Sequence, residues 1–468
     1  MHIPDTPFIV RTSRRIHPGE TAVVVGTGQS GLAAAELLSH LGSAVRLVDS
    51  GSVGSAVREQ AARRGWEIRE GTHCTAQFDQ AALVVLSPGV SRRRLEPWLV
   101  HLEPDRVIAE LELALEFVST PIIAVTGTSG KTTTTTLVGR FLEAMGRRVF
   151  VGGNIGTPLS TYVLERLRAS DLFMPPDSSD AGGKGTATAS ASSQADYLVL
   201  EVSSFQLLNT RSLHPNVGVL LNVSPNHLDY HQDMAEYLQA KLSLFAMQGP
   251  EDTAVFSEQL RELVESREVT RARTVFFGTD SGLTCPALPG RHNQANIAAA
   301  MLACQPFGLT PAIAQVVLDG FTGLPHRLQI VTERDGVLFV DDSKGTTVQA
   351  LQAALEAFDR PILLLAGGVF KGGDLAGLTP LVQRTTRAIG LFGAGRDVFE
   401  AAWSHAGPEM FWEPTLEGAM DRLWTMARPG DVMLLSPATA SFDLFRDYKH
   451  RGMTFQHYVQ ALRGTGHG

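Results

Sequence analysis

Cysteine is scarce in this chain: Cys74, Cys285 and Cys304 are the only three in 468 residues. They lie far apart without metal-ligand spacing, which excludes a disulfide framework and fits structural thiols in a reducing compartment. Long apolar runs are missing too. No stretch reaches the length of a membrane span, and residues 1–20, which carry Arg11, Arg14 and Arg15, hold no apolar segment of signal-peptide length. The expectation is a soluble, cytoplasmic protein with no membrane insertion. Nor is there surplus positive charge: 40 Lys and Arg stand against 48 Asp and Glu, a net charge of −8. That argues against a protein that coats nucleic acid, so anionic ligands must be held by local lysines, glycine loops and helix ends, and small-molecule partners are expected. Apolar residues, by contrast, make up 44% of the chain, and its length suits about three domains.

The most informative segment is Thr126-Gly-Thr-Ser-Gly-Lys-Thr132, directly after the apolar run Pro121-Ile-Ile-Ala-Val125. In a strand, glycine turn and helix, backbone N–H groups point into the turn, Lys131 adds a mobile positive charge and Thr132 offers a hydroxyl to Mg²⁺. Position 125 is valine, so this is the shortened Gly-x-x-Gly-Lys-Thr form of a phosphate loop, and it reads as ATP or GTP binding. Five threonines follow in a row from Thr132 to Thr136. They are poor helix formers, and their presence where a helix must begin implies that at least the first hydroxyls have a task.

The alternation of strand, turn and helix extends in both directions. Ala22 to Val25 precedes Gly26-Thr-Gly-Gln-Ser-Gly31 and an amphipathic segment with Leu37, Leu38 and Leu41 on one face; a second strand ends at Asp49. Gly26, Gly28 and Gly31 have the spacing of a dinucleotide fingerprint, with Asp49 about where a ribose contact would fall. The turn suits NAD, FAD, a nucleoside diphosphate, or no ligand at all. Another strand, 83–86, runs into Ser87-Pro-Gly89. In the middle come strands at 122–125, 149–151, 197–201 and 217–223, and beyond Leu324-Pro-His-Arg327 strands at 337–340, 362–365, 388–392 and 432–435 with a helix near 349–358. The fold class is α/β in three domains, bounded near 118 and 323: a Rossmann-like domain over 1–118, a central phosphate-loop domain over 119–323, and a Rossmann-like domain over 324–468. A tract rich in Ser, Ala, Gly and Thr at 177–194 has too little apolar surface to pack and reads as a mobile surface insertion.

Several polar residues fall at strand ends. Glu201 closes the run Tyr197-Leu-Val-Leu-Glu201, where a carboxylate beside a phosphate loop suits Mg²⁺, directly or through water, or is simply a solvated strand end. His227, Asp229 and His231 follow the next strand and suit a second divalent ion or proton transfer. Lys241 lies on the apolar stripe defined by Tyr237, Leu244 and Phe245; an inward lysine is costly unless paired or chemically altered, and snorkelling to the surface is the alternative. Asn293 and Asn296 open a small-residue helix, either to read a purine edge or to cap it. Asp342-Ser-Lys344-Gly-Thr346, Lys371 with its glycines, and Ser436-Pro-Ala-Thr-Ala-Ser441-Phe442 end three strands and suit carboxylates and phosphates.

Taken in order, these segments resemble the Mur ligases, the ATP-dependent amino-acid ligases of peptidoglycan precursor synthesis. The likeness rests on Gly127-Thr-Ser-Gly-Lys131-Thr132, Gly153-Asn154-Ile-Gly156, Glu201-Val-Ser-Ser-Phe-Gln206, His227-Leu-Asp229, Lys241, Asn293, His326-Arg327 and Asp342-Ser-Lys344. The glycine turn with Asp49, Ser87-Pro-Gly89 and 436–443 direct it to the D-glutamate-adding branch. The resemblance implies a first domain that binds the UDP moiety of UDP-N-acetylmuramoyl-L-alanine through Gly28, Gln29, Ser30, Asp49 and Gly89, with Asn154 on the same substrate. It implies ATP on Gly127, Thr128, Ser129, Gly130, Lys131, Thr132, Thr133, Asn293, Arg327 and Asp342. Two Mg²⁺ ions are implied, one at Thr132 and Glu201, the other at His227 and a carbamylated Lys241. D-glutamate is implied at Lys344, Thr346, Lys371, Ser441 and Phe442, and the expected state is a monomer. Lys131, Glu201, His227 and Lys241 are the implied catalytic set. Two features depart from the family pattern: the length of the 177–194 tract, and Thr347 where asparagine commonly follows Asp-Ser-Lys. A sister ligase such as folylpolyglutamate synthetase or the L-alanine-adding enzyme, a non-ligating nucleotide switch, and a nicotinamide dehydrogenase are the rival readings.

Overall fold

The computed structural model describes residues 15–171, 194–227 and 230–462. Arg11, Arg14, Asp229 and the 177–194 tract, except Gln194, lie outside the described residues. Among those described, seventeen strands form three sheets.

The first sheet holds β1 (Thr21–Val25), β2 (Ala44–Asp49), β3 (Glu67–Glu70), β4 (Ala81–Leu86) and β5 (Val107–Ala109), all parallel, in the order β3-β2-β1-β4-β5. The second holds β6 (Ile122–Thr126), β7 (Val149–Gly153), β8 (Tyr197–Glu201), β9 (Val217–Leu220), β10 (Thr253–Ser257) and β11 (Arg273–Phe277), also parallel, in the order β11-β10-β9-β6-β8-β7. Continuous apolar runs such as Leu198-Val-Leu200 suit such strands, because helices cover both faces of a parallel sheet. All three of these residues are fully buried. The phosphate-loop strand β6 lies between β9 and β8, so the groups that end β8 and β9 reach the loop from both sides.

The third sheet holds β12 (Gln329–Arg334), β13 (Val337–Asp341), β14 (Ile362–Gly367), β15 (Thr386–Phe392), β16 (Glu409–Glu413) and β17 (Val432–Leu435), in the order β12-β13-β17-β14-β15-β16. Its side chains alternate between two cores: Leu364, Val340 and Leu434 pack on one face, Leu363, Leu365, Phe339 and Leu435 on the other. Two compact units result. One runs to Gly278 and takes in Ala298–Ile313; the other comprises Thr279–Ile297 and the described residues from Ala314 onward.

The structure departs from the sequence-based expectations in three places. The third sheet is not wholly parallel, because β12 runs antiparallel to β13. Asp335 and Gly336, both at positive φ (51° and 74°), make the two-residue turn between them, the backbone twist that tight hairpins require. The strand expected over 217–223 ends at Leu220, since the following residues bond to the phosphate loop instead. Strands β3, β5, β10, β11 and β16 are additional. No helix among the described residues is long and apolar enough to cross a membrane.

Candidate functional site

The phosphate loop is shaped by its two glycines. Gly127 has φ of 157° and Gly130, at the start of the helix Lys131–Ala144, has φ of 81°, a left-handed conformation that favours glycine. No side chain caps that helix. Lys131 Nζ folds back to donate to the carbonyls of Gly127 (2.8 Å) and Thr128 (2.9 Å). Four of the five threonines, Thr132 to Thr135, are buried. Their tasks differ: Thr132 Oγ1 donates to Glu201 Oε2 at 2.8 Å, and Thr136 Oγ1 bonds back to the Thr132 carbonyl.

Glu201 is therefore not a solvated strand end. It is buried, and Asn154 Nδ2 donates to its other oxygen at 3.0 Å. Gly153 permits this approach, because a Cβ there would lie 2.5 Å from the Glu201 carbonyl oxygen. Asn154, which the resemblance places on the substrate, thus holds the carboxylate in this structure. The resulting donor set, a threonine hydroxyl and a carboxylate at the mouth of a phosphate loop, is hard oxygen throughout and fits Mg²⁺ that takes most of its ligands from phosphate and water. No group of three or more His, Cys, Asp or Glu among the described residues forms a metal cage.

Lys241 points inward from the helix Met234–Leu242 and is 1% exposed, which removes the snorkelling alternative. Its Nζ donates to the Gly127 carbonyl at 2.8 Å and lies 4.5 Å from the centre of the Tyr237 ring. Burial, with Lys131 adding like-charge repulsion, pulls its ammonium from 10.5 down to about 6. His227 is exposed, in a left-handed conformation (φ 57°), with its ring centre 4.8 Å from that of Phe205 in an edge-on arrangement. Phe205 stacks on His231, and His231 meets Tyr237. A chain of rings thus joins His227 to the Lys241 helix. His231 is buried against Ser204.

At the first sheet's glycine turn, Gly26 (φ 94°) and Gly31 are demanded by the fold: a Cβ at Gly31 would lie 1.9 Å from the Gly26 carbonyl oxygen. Gly28 and Gly89 have no atom within 4 Å of a hypothetical Cβ, so packing does not explain their lack of a side chain. Asp49 is occupied within the turn, accepting from Thr27 N and Oγ1 (2.9 and 2.8 Å) and Gly51 N (3.0 Å). Burial pushes its carboxyl up, but these donors outweigh it and hold it below the usual range. Gln29 Nε2 reaches the Gly156 carbonyl at 3.0 Å, and Ser30 is half-buried in the first turn of its helix.

The second unit gathers another cluster. Asp342 is buried, accepting from Ser436 Oγ (2.8 Å) and Leu328 N (3.2 Å), and burial drives its carboxyl from 3.8 up to about 7 despite the opposing charge of Arg327. Lys344 Nζ lies 5.4 Å from the Tyr448 ring centre, and Lys371 Nζ lies 5.7 Å from that of the exposed Phe442. Thr346 is half-buried and Ser441 buried. Thr347, the departure from the family pattern, caps the helix Val348–Leu355 by accepting from Ala350 N. Asn293 donates to the Pro289 carbonyl (2.7 Å) and accepts from Asn296 (3.2 Å), so both amides serve the helix opening here.

Three residues that join these elements were given no site role from the sequence, where Tyr237 served only to define the apolar stripe. Tyr237 bonds Thr128 Oγ1 at 3.0 Å, and Asn222 bonds the phosphate loop. Arg451 is fully buried and ties three strand ends together, donating to Ser343 Oγ and carbonyl and to the Thr439 and Gly367 carbonyls. An arginine inside the apolar pattern of Arg451-Gly-Met-Thr-Phe455 was the available signal.

Open α/β sheets and a shortened phosphate loop define a phosphate-loop α/β protein. Family profiles described as "Mur ligase MurD-like, N-terminal domain", "Mur ligase middle domain" and "Mur ligase, glutamate ligase domain" match residues 20–100, 125–287 and 326–439. The chain is 49% identical over 464 residues, 99% of its own length and 98% of the relative's, to UDP-N-acetylmuramoylalanine--D-glutamate ligase of Oleidesulfovibrio alaskensis. It is 50% identical to the enzyme of that name from Nitratidesulfovibrio vulgaris, over 96% of this chain and 98% of the relative. In fold it is similar to the crystal structure of MurF ligase from Thermotoga maritima in complex with ADP, with TM-score 0.54 at 18% identity over 97% and 98% of the two chains. The chain belongs to the Mur ligase family.

Proposed function

We propose that this chain is an ATP-dependent acid–amino-acid ligase that joins D-glutamate to UDP-N-acetylmuramoyl-L-alanine, a step of peptidoglycan precursor synthesis. The observation that carries this reading is identity of about one half, along nearly the whole chain, to enzymes named for that ligation. We place the UDP-substrate role in residues 1–118, ATP in 119–323 and the amino acid in 324–468.

In the first chemical step the alanyl carboxylate oxygen attacks the γ-phosphorus, forming an acyl phosphate and releasing ADP. The D-glutamate nitrogen, having lost a proton from its ammonium form, then attacks the acyl carbon. The tetrahedral intermediate expels inorganic phosphate and leaves an amide. Such chemistry asks for alignment and neutralised charge rather than a protein nucleophile. Lys131, released from the Gly127 and Thr128 carbonyls, is placed to follow the charge of the transferred phosphoryl group. Mg²⁺, when bound, would screen the phosphate oxygens and stabilise charge as it builds. Thr132 and Glu201 would hold one ion, with Asn154 orienting the carboxylate.

Lys241 is assigned a carbamate. Its nitrogen, which burial favours as the neutral amine, would attack CO₂, form an N–C bond as one C=O π pair moves onto oxygen, and release a proton, giving an anionic oxygen ligand that would serve a second ion together with His227. Gly28, Gln29, Ser30 and Gly89 are assigned to the UDP moiety, Asp49 shaping their turn. Asn293, Arg327 and Asp342 are assigned to ATP, and Lys344, Thr346, Lys371, Ser441 and Phe442 to D-glutamate. The test is ATP-dependent phosphate release with UDP-N-acetylmuramoyl-L-alanine and a panel of D- and L-amino acids. Release specific to D-glutamate and lost in Lys131→Ala is the expected result. Release that needs no amino acid would point to a nucleotide switch, and full activity in Lys131→Ala would remove the loop from the mechanism.

A further inference from the structure

We propose that Asn222 is a positioning residue for the nucleotide phosphates, splinting the first half of the phosphate loop to the central sheet before any nucleotide arrives; the inference rests on reading that loop as the ATP cradle. The parallel pairing of β6 with β9 does not stop where the strands end. Leu221 N donates to the Thr126 carbonyl at 3.0 Å, and Thr128 N donates to the Asn222 carbonyl at 3.1 Å. The Asn222 side chain then adds further rungs. Its Oδ1 accepts from Thr128 N (3.0 Å) and Ser129 N (2.9 Å), and its Nδ2 donates to the Ser129 carbonyl (3.3 Å). Gly127 allows the close approach, since a Cβ there would lie 3.0 Å from Leu221 Cβ. On the other side of Thr128, its hydroxyl bonds Ser224 N (3.0 Å), the Ser224 carbonyl (3.2 Å) and the Tyr237 hydroxyl.

The consequence is a division of labour within one short loop. The N–H groups of Thr128 and Ser129 are directed to Asn222, so phosphate recognition falls to the stretch from Gly130 into the helix and to the Lys131 ammonium. A loop fixed this way does not have to be ordered by the ligand, which lowers the entropic cost of binding. The opposite reading makes Asn222 a plug that mimics a phosphate oxygen and swings out when nucleotide enters. Its main-chain carbonyl argues against that, because a change of side-chain rotamer cannot release the Thr128 N bond.

The two readings predict opposite signs. Wild type, Lys131→Ala, Asn222→Ala and Asn222→Ser full-length chains would be titrated with ATP, ADP and adenosine by calorimetry, alongside steady-state kinetics and thermal unfolding. Loss of the splint is expected to weaken ATP and ADP about tenfold in Asn222→Ala, equivalent to about 1.4 kcal/mol. Adenosine affinity should not change, and KM for ATP should rise while KM for the other two substrates stays put. A purely folding role would lower the unfolding temperature without changing the ratio of ATP to adenosine affinity, and that result would overturn the proposal. Unchanged or tighter ATP binding in Asn222→Ala would do the same, the latter favouring the plug. Should Asn222→Ala fail to fold, Asn222→Ser, too short to reach both N–H groups, should show the same selective loss, and wild-type affinity there would overturn the proposal. Failure of the wild type to bind ATP, or full binding by Lys131→Ala, would instead sink the nucleotide reading and this inference with it.

Discussion

Asp342→Asn should make the protein more stable at neutral pH. Asp342 is 7% exposed, and burial holds its carboxyl at about 7 against an ordinary value of 3.8. A carboxyl whose folded-state value is raised binds its proton more tightly in the native than in the unfolded chain. Between pH 3.8 and about 7 its contribution therefore lowers stability as pH rises, and above 7 the penalty is complete. The full penalty is at most about 4 kcal/mol. Asparagine keeps the shape: its oxygen can accept from Leu328 N, and its amide can donate to Ser436 Oγ once that hydroxyl turns. Comparing the two proteins at each pH cancels the groups that titrate in both. The stability difference should widen by roughly 2 kcal/mol between about pH 5.5 and 8. For a unit of this size that is roughly 4–8 °C in unfolding temperature. The assay is calorimetric unfolding across that pH range, with ligation measured in parallel; activity should fall, since Asp342 is assigned to ATP. Parallel stability curves for the two proteins would refute the reasoning, because they would mean that the carboxyl is ionised without penalty.

Other expectations follow from the same geometry. Lys241→Ala should lose ligation and regain part of it with added short carboxylates, which can supply the missing oxygen ligand; wild-type rates in the variant would show that the lysine has no such role. Glu201→Gln removes the charge held by Thr132 and Asn154 and should raise half-saturating Mg²⁺ roughly tenfold or more in an ATPase titration, and an unmoved Mg²⁺ curve would exclude it as a ligand. Gly31→Ala places a methyl 1.9 Å from the Gly26 carbonyl oxygen and should cost roughly 3 kcal/mol in urea unfolding. A loss under about 0.5 kcal/mol would mean that the turn relaxes freely.

Local chemistry was legible in the sequence wherever neighbouring residues carry it. The glycines at 127 and 130 followed by Lys131 and Thr132 needed only a preceding apolar run to be read as a phosphate loop, and the structure builds that loop. The inward lysine at 241 was legible from helical spacing, since Tyr237 and Phe245 lie on the same face. Eleven strand positions followed from apolar runs, while β3, β5, β10, β11 and β16 went unread, as did β12, where Gln329–Arg334 is half-exposed and mixes polar with apolar residues at the sheet edge. The Asp335-Gly336 turn was the missed clue there.

What the sequence by itself determined is thus the set of reactive groups and the α/β alternation, because glycine spacing, strand runs and helix periods act over a few residues. Only the tertiary structure decided the partners. Asp49 closes its own glycine turn, Asn154 holds Glu201 across 47 positions, Asn222 reaches back 93 to the phosphate loop, and Arg451 binds strand ends 108 and 84 residues away. Such pairings depend on strand order in the sheets, which brings the ends of β6, β8 and β9 side by side, and β13, β14 and β17 likewise. Strand order is a property of the packed chain, and no short stretch of residues encodes it.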